Sequence, residues 1–126
     1  FVIVYYKGEI KMKKVLWFSR HKMDAEQIKS LEKKIGKFEL TQIDKTIKSA
    51  SEIATEIANA DVVAVVAPPD LLSEFSQICG NKPLIFSESE RILIKSEDGS
   101  ESKVVFKFKR WVKISKFVYE TCTFCD

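Results

Sequence analysis

The chain has 126 residues, of which 45% are hydrophobic and 31% are charged, and its formal net charge is +3. This length and balance fit one globular domain, and the charge is too small to predict binding of duplex nucleic acid. No apolar run approaches the roughly 18 residues of a membrane-spanning helix, and the three cysteines do not form a disulfide framework. We therefore expect a cytoplasmic protein that does not associate with membranes.

The first eleven residues have two interpretations. The purine-rich codons AAA-GGA-GAA would encode Lys7-Gly8-Glu9, and such a ribosome-binding sequence would lie a few codons upstream of Met12. We therefore expect that translation starts at Met12 and that residues 1–11 are a translated leader. The alternative is an edge strand at Val2–Tyr6, because this run has high β-propensity.

The first predicted strand of the domain leads directly into a polar tripeptide. Val15–Phe18 is a short run of apolar β-formers, and Ser19, Arg20 and His21 follow it. His21 is the only histidine in the chain. A helix is predicted to begin at Asp24, which forms a capping-box pattern with the glutamine that follows it in the first turn. In α/β domains, a strand followed by a polar segment and a helix places binding or catalytic side chains at the carboxyl end of the first strand.

Alternating strand and helix patterns continue to residue 87. Two helices with apolar residues at helical spacing separate three further strands. The middle strand is a continuous apolar run, which suits a central strand covered on both faces. The predicted elements are a strand at 37–43, a helix from Ser49 to about Ala58, a strand at Asp61–Ala67, a helix from about Asp70 to Gly80, and a strand at Pro83–Ser87.

The pattern changes in the last third of the chain. Arg91–Lys95 and Lys103–Phe108 are strand-like and flank Asp98-Gly99, which indicates a hairpin turn. Trp111–Thr121 is predicted as a last strand. Arg110 interrupts the alternation before it, which indicates a bulge or a bend.

These elements predict an α/β fold, because short alternating units require parallel pairing with right-handed crossovers. The expected architecture is a single three-layer Rossmann-like domain at residues 12–121. Its four-stranded, mostly parallel sheet has the order 2-1-3-4, and a C-terminal antiparallel β-hairpin or extra strands are added to it. Residues 122–126 are expected to form a tail, since the metal-knuckle spacing of Cys122 and Cys125 stands alone.

Ligands of such sheets bind beyond the carboxyl ends of the strands. Four loops are expected to meet there, formed by the tripeptide Ser19-Arg20-His21 and by residues 44–46, 68–70 and 87–89. Besides the tripeptide, the predicted ligand-binding residues are Asp44, Lys45, Thr46, Pro68, Pro69, Asp70 and Ser87.

The tripeptide has the groups that metal-free cleavage of an RNA-like phosphodiester requires. Arg20 can hold a phosphate through two donors, and N–H groups at the start of the first helix add positive potential. Ser19 can donate a hydrogen bond, and His21 can exchange a proton near neutral pH. Ser19, Arg20 and His21 are therefore the candidate catalytic residues, with a 2′-hydroxyl as the nucleophile.

The same tripeptide has a purely structural interpretation, in which Arg20 and His21 make hydrogen bonds at the helix entry. Too few acidic residues cluster near it for a two-metal site, and no glycine-rich dinucleotide fingerprint follows the first strand. We therefore expect no metal and no cofactor.

A strand that ends in Ser19-Arg20-His21, followed by a helix, a strand ending in an acidic residue, and an apolar strand with proline and a leucine-rich helix, resembles small proteins encoded beside type III CRISPR systems. These are similar in layout to the CRISPR-associated Rossmann fold (CARF), and the resemblance covers about Lys14 to Ser87. It implies ring nuclease activity, which linearises cyclic oligoadenylate messengers, and a homodimer that matches the symmetry of the ring. Arg20, His21 and Lys45 would surround the phosphates. A non-catalytic messenger sponge and a protein-interaction module are the alternatives.

Basic and aromatic residues interleave near the C-terminus. One face of this region is predicted to be basic, with Phe106 and Phe108 directed toward the core. Such a face either stacks a base and binds phosphate or is a solvated face that discourages edge aggregation. The residues expected on it are Lys107, Lys109, Trp111 and Lys113.

Overall fold

The computed structural model describes residues 12–124. The predictions for residues 1–11 and for Cys125 lie outside this range. No helix in it has the length and apolar character needed to cross a bilayer. The strands are β1 (Lys13–Phe18), β2 (Phe38–Ile43), β3 (Val62–Val65), β4 (Leu84–Lys95) and β5 (Ser102–Lys113), and the helices are α1 (Ala25–Ile35), α2 (Ala54–Asn59), which follows a 3-10 turn at Ala50–Ile53, and α3 (Pro69–Cys79).

The strands form one mixed sheet in the order β2-β1-β3-β4-β5. β1 lies between β2 and β3 and is parallel to both, β3 and β4 are also parallel, and β5 is antiparallel to β4. The predicted α/β class and the order 2-1-3-4 of the parallel strands are confirmed. The fifth strand extends the sheet beyond β4.

Helices pack on both faces of the parallel strands. Leu31 of α1 lies in one apolar cluster with Val15 and Trp17 of β1. Phe75 of α3 and Ile57 of α2 lie in the cluster on the opposite face. Every residue of β3 is buried, because a strand between two helical layers exposes neither face to water.

The two C-terminal strands are longer than the sequence pattern predicts. The strand predicted to end at Ser87 continues through the polar segment to Lys95, and it pairs with β5 along its whole length. The strands predicted at Lys103–Phe108 and Trp111–Thr121 are one strand, β5, which ends at Lys113. Polar side chains interrupt the apolar pattern of β4 after its first residues, because β4 pairs with β3 only at its start. Beyond that point β4 and β5 form a two-stranded arm, and α1 contacts the base of this arm, where Ser87 and Trp111 are hydrogen-bonded to Gln27.

A β-bulge divides β5. The register passes from Glu88 opposite Arg110 to Ser89 opposite Phe108, which leaves Lys109 as the extra residue. The irregularity predicted near Arg110 is therefore confirmed. The prediction that Trp111 lies on the face opposite Phe106 and Phe108 is wrong, because the bulge places all three on the face that α1 covers. The prediction that Phe106 lies in the core is also wrong, since Phe106 is 70% exposed.

Candidate functional site

A cavity of about 600 Å³ opens at the carboxyl ends of β1, β2 and β3. This volume lies within the range of roughly 300–1,000 Å³ that is usual for small-molecule sites. Eight of the ten predicted site residues line it, so most of the predicted loops do meet at one place. They are Ser19, Arg20, His21, Asp44, Lys45, Thr46, Pro68 and Asp70.

The tripeptide forms a closed turn at the end of β1. The N–H of Ser19 donates to the carbonyl of Ile43 at 3.2 Å, which continues the pairing with β2. The Oγ of Ser19 accepts the backbone N–H of His21 at 3.0 Å. Ser19 is buried, whereas Arg20 and His21 are exposed. The turn thus holds the serine in place and directs its two larger neighbours outward.

Two further residues, which the sequence reasoning missed, fix this turn. The amide of Gln42 donates to the carbonyls of Ser19 at 2.8 Å and His21 at 3.2 Å. The indole N–H of Trp17 donates to the same His21 carbonyl at 2.7 Å. Trp17 and Gln42 are register partners in β1 and β2. No local sequence signal reveals this pairing, because it depends on how two parallel strands align.

The charges around the cavity are mixed, with cations in excess. The guanidinium of Arg20 donates to the hydroxyl of Thr46, which joins the first loop to the second. Lys45 and Lys48 also line the cavity, and Lys48 was missed by the sequence reasoning. Together these three cations exceed the two carboxylates, those of Asp44 and Asp70. The excess of cations favours an anionic ligand, and the two carboxylates favour a ligand that also has hydrogen-bond donors.

The helix start that borders the cavity is not the one expected. At the start of α1, Asp24 accepts the N–H of Gln27, and the Gln27 side chain accepts the N–H of Asp24, each at 2.9 Å. This capping box confirms the predicted helix start. However, α1 contributes no residue to the cavity wall, and the expectation that its N–H groups face the ligand is wrong. The start of α3 lies there instead and has no side-chain cap.

Two predicted ligand-binding residues lie outside the cavity wall. Pro69 is the first residue of α3 and is not among the lining residues. Ser87 lies inside β4 opposite Trp111, and its hydroxyl accepts a hydrogen bond from the Gln27 side chain at 3.0 Å. The expected fourth loop does not exist, because the strand continues through it.

Two glutamates anchor the wall formed by residues 44–48. Glu52 accepts the N–H of Lys48 at 2.7 Å and of Ser49 at 3.1 Å. Glu74 of α3 accepts the hydroxyl of Ser49 at 2.7 Å and the N–H of Ala50 at 2.8 Å. These hydrogen bonds favour the ionised carboxylates and hold the pKa of each below its ordinary value. The cavity wall is therefore tied to the helices behind it.

Comparison with models of protein families, with curated proteins and with solved structures found no match. Within residues 12–124, no three His, Cys, Asp or Glu side chains are grouped as metal ligands. The residues that line the cavity are therefore the guide to function.

Proposed function

We propose that the protein binds a cyclic oligoadenylate-type messenger at this cavity and linearises it without a metal ion. The observation that carries this proposal is the meeting of Arg20, His21 and Lys45 at one cavity, from the ends of two neighbouring strands. A guanidinium, an ammonium and an imidazole are the groups that a phosphodiester ligand and its cleavage require.

Arg20 and Lys45 bind phosphate in this proposal. The contact with Thr46 restricts the Arg20 side chain before a ligand arrives, so less rotamer freedom is lost on binding. Asp70 and Asp44 accept hydrogen bonds from ribose hydroxyls or base amino groups. This division of roles accounts for two carboxylates in a site for an anion.

Cleavage proceeds by attack of a ribose 2′-oxygen on the neighbouring phosphorus. The bond from phosphorus to the 5′-oxygen breaks, and a 2′,3′-cyclic phosphate and a 5′-hydroxyl are left. His21, as imidazolium, protonates the departing 5′-oxygen, and the 2′-hydroxyl proton passes to water. The Ser19 hydroxyl oxygen accepts the backbone N–H of His21, and its own O–H can donate to a phosphate oxygen.

A ring of several nucleotides exceeds one open cavity of about 600 Å³. We therefore propose a homodimer in which two cavities face one ring, since a two-fold pair matches the symmetry of a cyclic ligand. The parallel order 2-1-3-4 and a site at the carboxyl ends support a Rossmann-like, CARF-like domain. A cytoplasmic location is part of the same proposal.

A messenger sponge, which binds without cleaving, is the second candidate. The observation that favours it is that the chain has one histidine. Each protomer therefore supplies one imidazole, whereas cleavage uses both an acid and a base.

Thermal melting and chromatography with cyclic tri-, tetra- and hexa-adenylate test the proposal. At least one ring should raise the melting temperature and be converted to a linear product in the presence of EDTA. Arg20→Ala should lose both effects. His21→Ala should keep the thermal shift and lose the product. Lys29→Ala, which removes an exposed cation of α1, is the matched control.

The possible results separate the candidates. A shift without any product in the unaltered protein would identify a sponge. No shift and no product with any of the three rings would refute messenger binding altogether.

A further inference from the structure

Three aromatic residues of β5 form a strip on one face of the sheet. The strip consists of Phe106, Phe108 and Trp111. Trp111 packs in the same apolar cluster as Trp17 and Leu31, which identifies the face as the one that α1 covers. Phe108 lies beside Trp111, and Phe106 precedes Phe108 by two residues in the strand.

One helix is too narrow to cover this face. Five strands about 4.8 Å apart form a sheet roughly 19 Å wide, whereas a helix with its side chains is about 10 Å across. The opposite face carries both α2 and α3. A cavity of about 490 Å³ lies between the end of α1 and β5, with Ile35, Ile85 and Trp111 in its wall. The aromatic strip begins at this cavity and extends outward along the arm.

The inner end of the strip is rigid. The ring centroids of Trp17 and Trp111 are 5.8 Å apart at an interplanar angle of 84°, and those of Phe108 and Trp111 are 5.9 Å apart at 57°. The indole N–H of Trp111 donates to the carbonyl of Gln27 at 3.0 Å. At the outer end Phe106 is 70% exposed. The strip is thus a fixed platform that ends in an open ring.

Cations accompany the strip along its length. β5 contains five cations and no acidic residue. On the strip's own face, Arg91 lies opposite Phe106 and Lys113 lies two residues beyond Trp111, while Lys34 faces Trp111 across the cavity. Among residues 12–124, the one ion pair is between Arg110 and Glu88. The cations beside the rings therefore have no acidic partner within the described chain.

We propose that the aromatic strip is a binding surface for single-stranded nucleic acid. The exposed ring of Phe106 and the half-buried rings of Phe108 and Trp111 offer stacking positions along the strand, and the adjacent cations offer phosphate contacts. A duplex does not fit, because its bases are already stacked. A second copy of the chain is disfavoured, because two strips would bring two cationic strands together.

Fluorescence anisotropy of the full-length protein with a labelled oligo-dT or oligo-U of about ten nucleotides tests this surface. Binding should saturate at low salt and weaken as salt rises. Phe106→Ala should weaken binding about tenfold, and Arg91→Ala should lower the salt slope by about 0.7 for one lost phosphate contact. Tyr119→Ala, which removes another half-exposed aromatic, should change neither.

Three results would each overturn the proposal. They are the absence of saturable binding at low salt, equal affinities of Phe106→Ala and Tyr119→Ala, and equal competition by a duplex of the same length. Sedimentation of both variants gives a further check, since loss of a dimer in Phe106→Ala alone would assign the strip to a second copy.

The proposal is independent of the messenger cavity, because the strip and the cavity share no residue. Phe106→Ala should leave any response to cyclic oligoadenylates unchanged.

Discussion

The parallel core and the β4–β5 arm bury their apolar residues to very different extents. In β3 every side chain is buried between two helical layers. In the outer part of β4 and β5, Leu93, Ile94 and Phe106 are each at least half exposed. Apolar side chains therefore contribute stability in one region and remain exposed to solvent in the other. What differs is whether a helix lies over the strand.

Phe75→Ala should show the largest effect. Phe75 is completely buried and lies 5.4 Å from Phe18, measured between ring centroids. Loss of such a ring costs about 3–5 kcal/mol through lost burial and the cavity that remains. Urea denaturation should show this loss. Phe106→Ala in the arm is the matched comparison and should change the free energy of unfolding by less than about 0.5 kcal/mol. Similar losses of unfolding free energy in the two variants would show that Phe106 is buried in solution.

Gln42→Ala should have a smaller effect on stability and a clear effect on the site. The side chain bridges two carbonyls of the Ser19-Arg20-His21 turn. Its removal should lower the free energy of unfolding by about 1 kcal/mol and reduce the thermal shift expected with a cyclic oligoadenylate. Glu39→Ala, also exposed on β2, is the control. An undiminished thermal shift in Gln42→Ala would mean that the turn keeps its shape without the bridge.

Acid should weaken the core through Glu74. The hydroxyl of Ser49 and the N–H of Ala50 lower its pKa. Because the folded pKa lies below the unfolded value of about 4.3, the carboxylate stabilises the fold above that value. This contribution is lost as the pH falls through the folded pKa. Glu74→Gln should therefore reduce the difference between urea midpoints at neutral pH and at about pH 3. Glu56→Gln on α2 should leave it unaltered.

The smallest global effect is expected at the tip of the arm. The hydroxyl of Ser96, followed by the N–H and hydroxyl of Ser100, lowers the pKa of Asp98 to about 2. Asp98→Asn should speed hydrogen exchange at the Ser100 N–H while the urea midpoint stays the same, because a hairpin tip opens locally. A fall in the urea midpoint would show that the hairpin tip unfolds together with the rest of the domain.

Local patterns predicted the core and most of the cavity. The Asp24 capping box and the continuous apolar run of β3 are short-range signals, and the structure confirms both. Because parallel strands bring their carboxyl ends together, eight of the ten site residues lie at one cavity.

What the sequence did not reveal depends on alignment between strands. The bridge from Gln42 requires the register of β2 against β1. The placement of Trp111 on the same face as Phe108 depends on a bulge whose position is set by pairing with β4. Ser87 was assigned to a loop because the run Ser87-Glu88-Ser89 is polar, whereas pairing with β5 keeps it in the strand.

Calorimetric titration of cyclic tri-, tetra- and hexa-adenylate into the protein and into Arg20→Ala tests the central claim most directly. The account predicts saturable binding of at least one ring, with one ring for two chains, and loss of that heat in Arg20→Ala. Absence of heat with all three rings, or equal binding by Arg20→Ala, would contradict it.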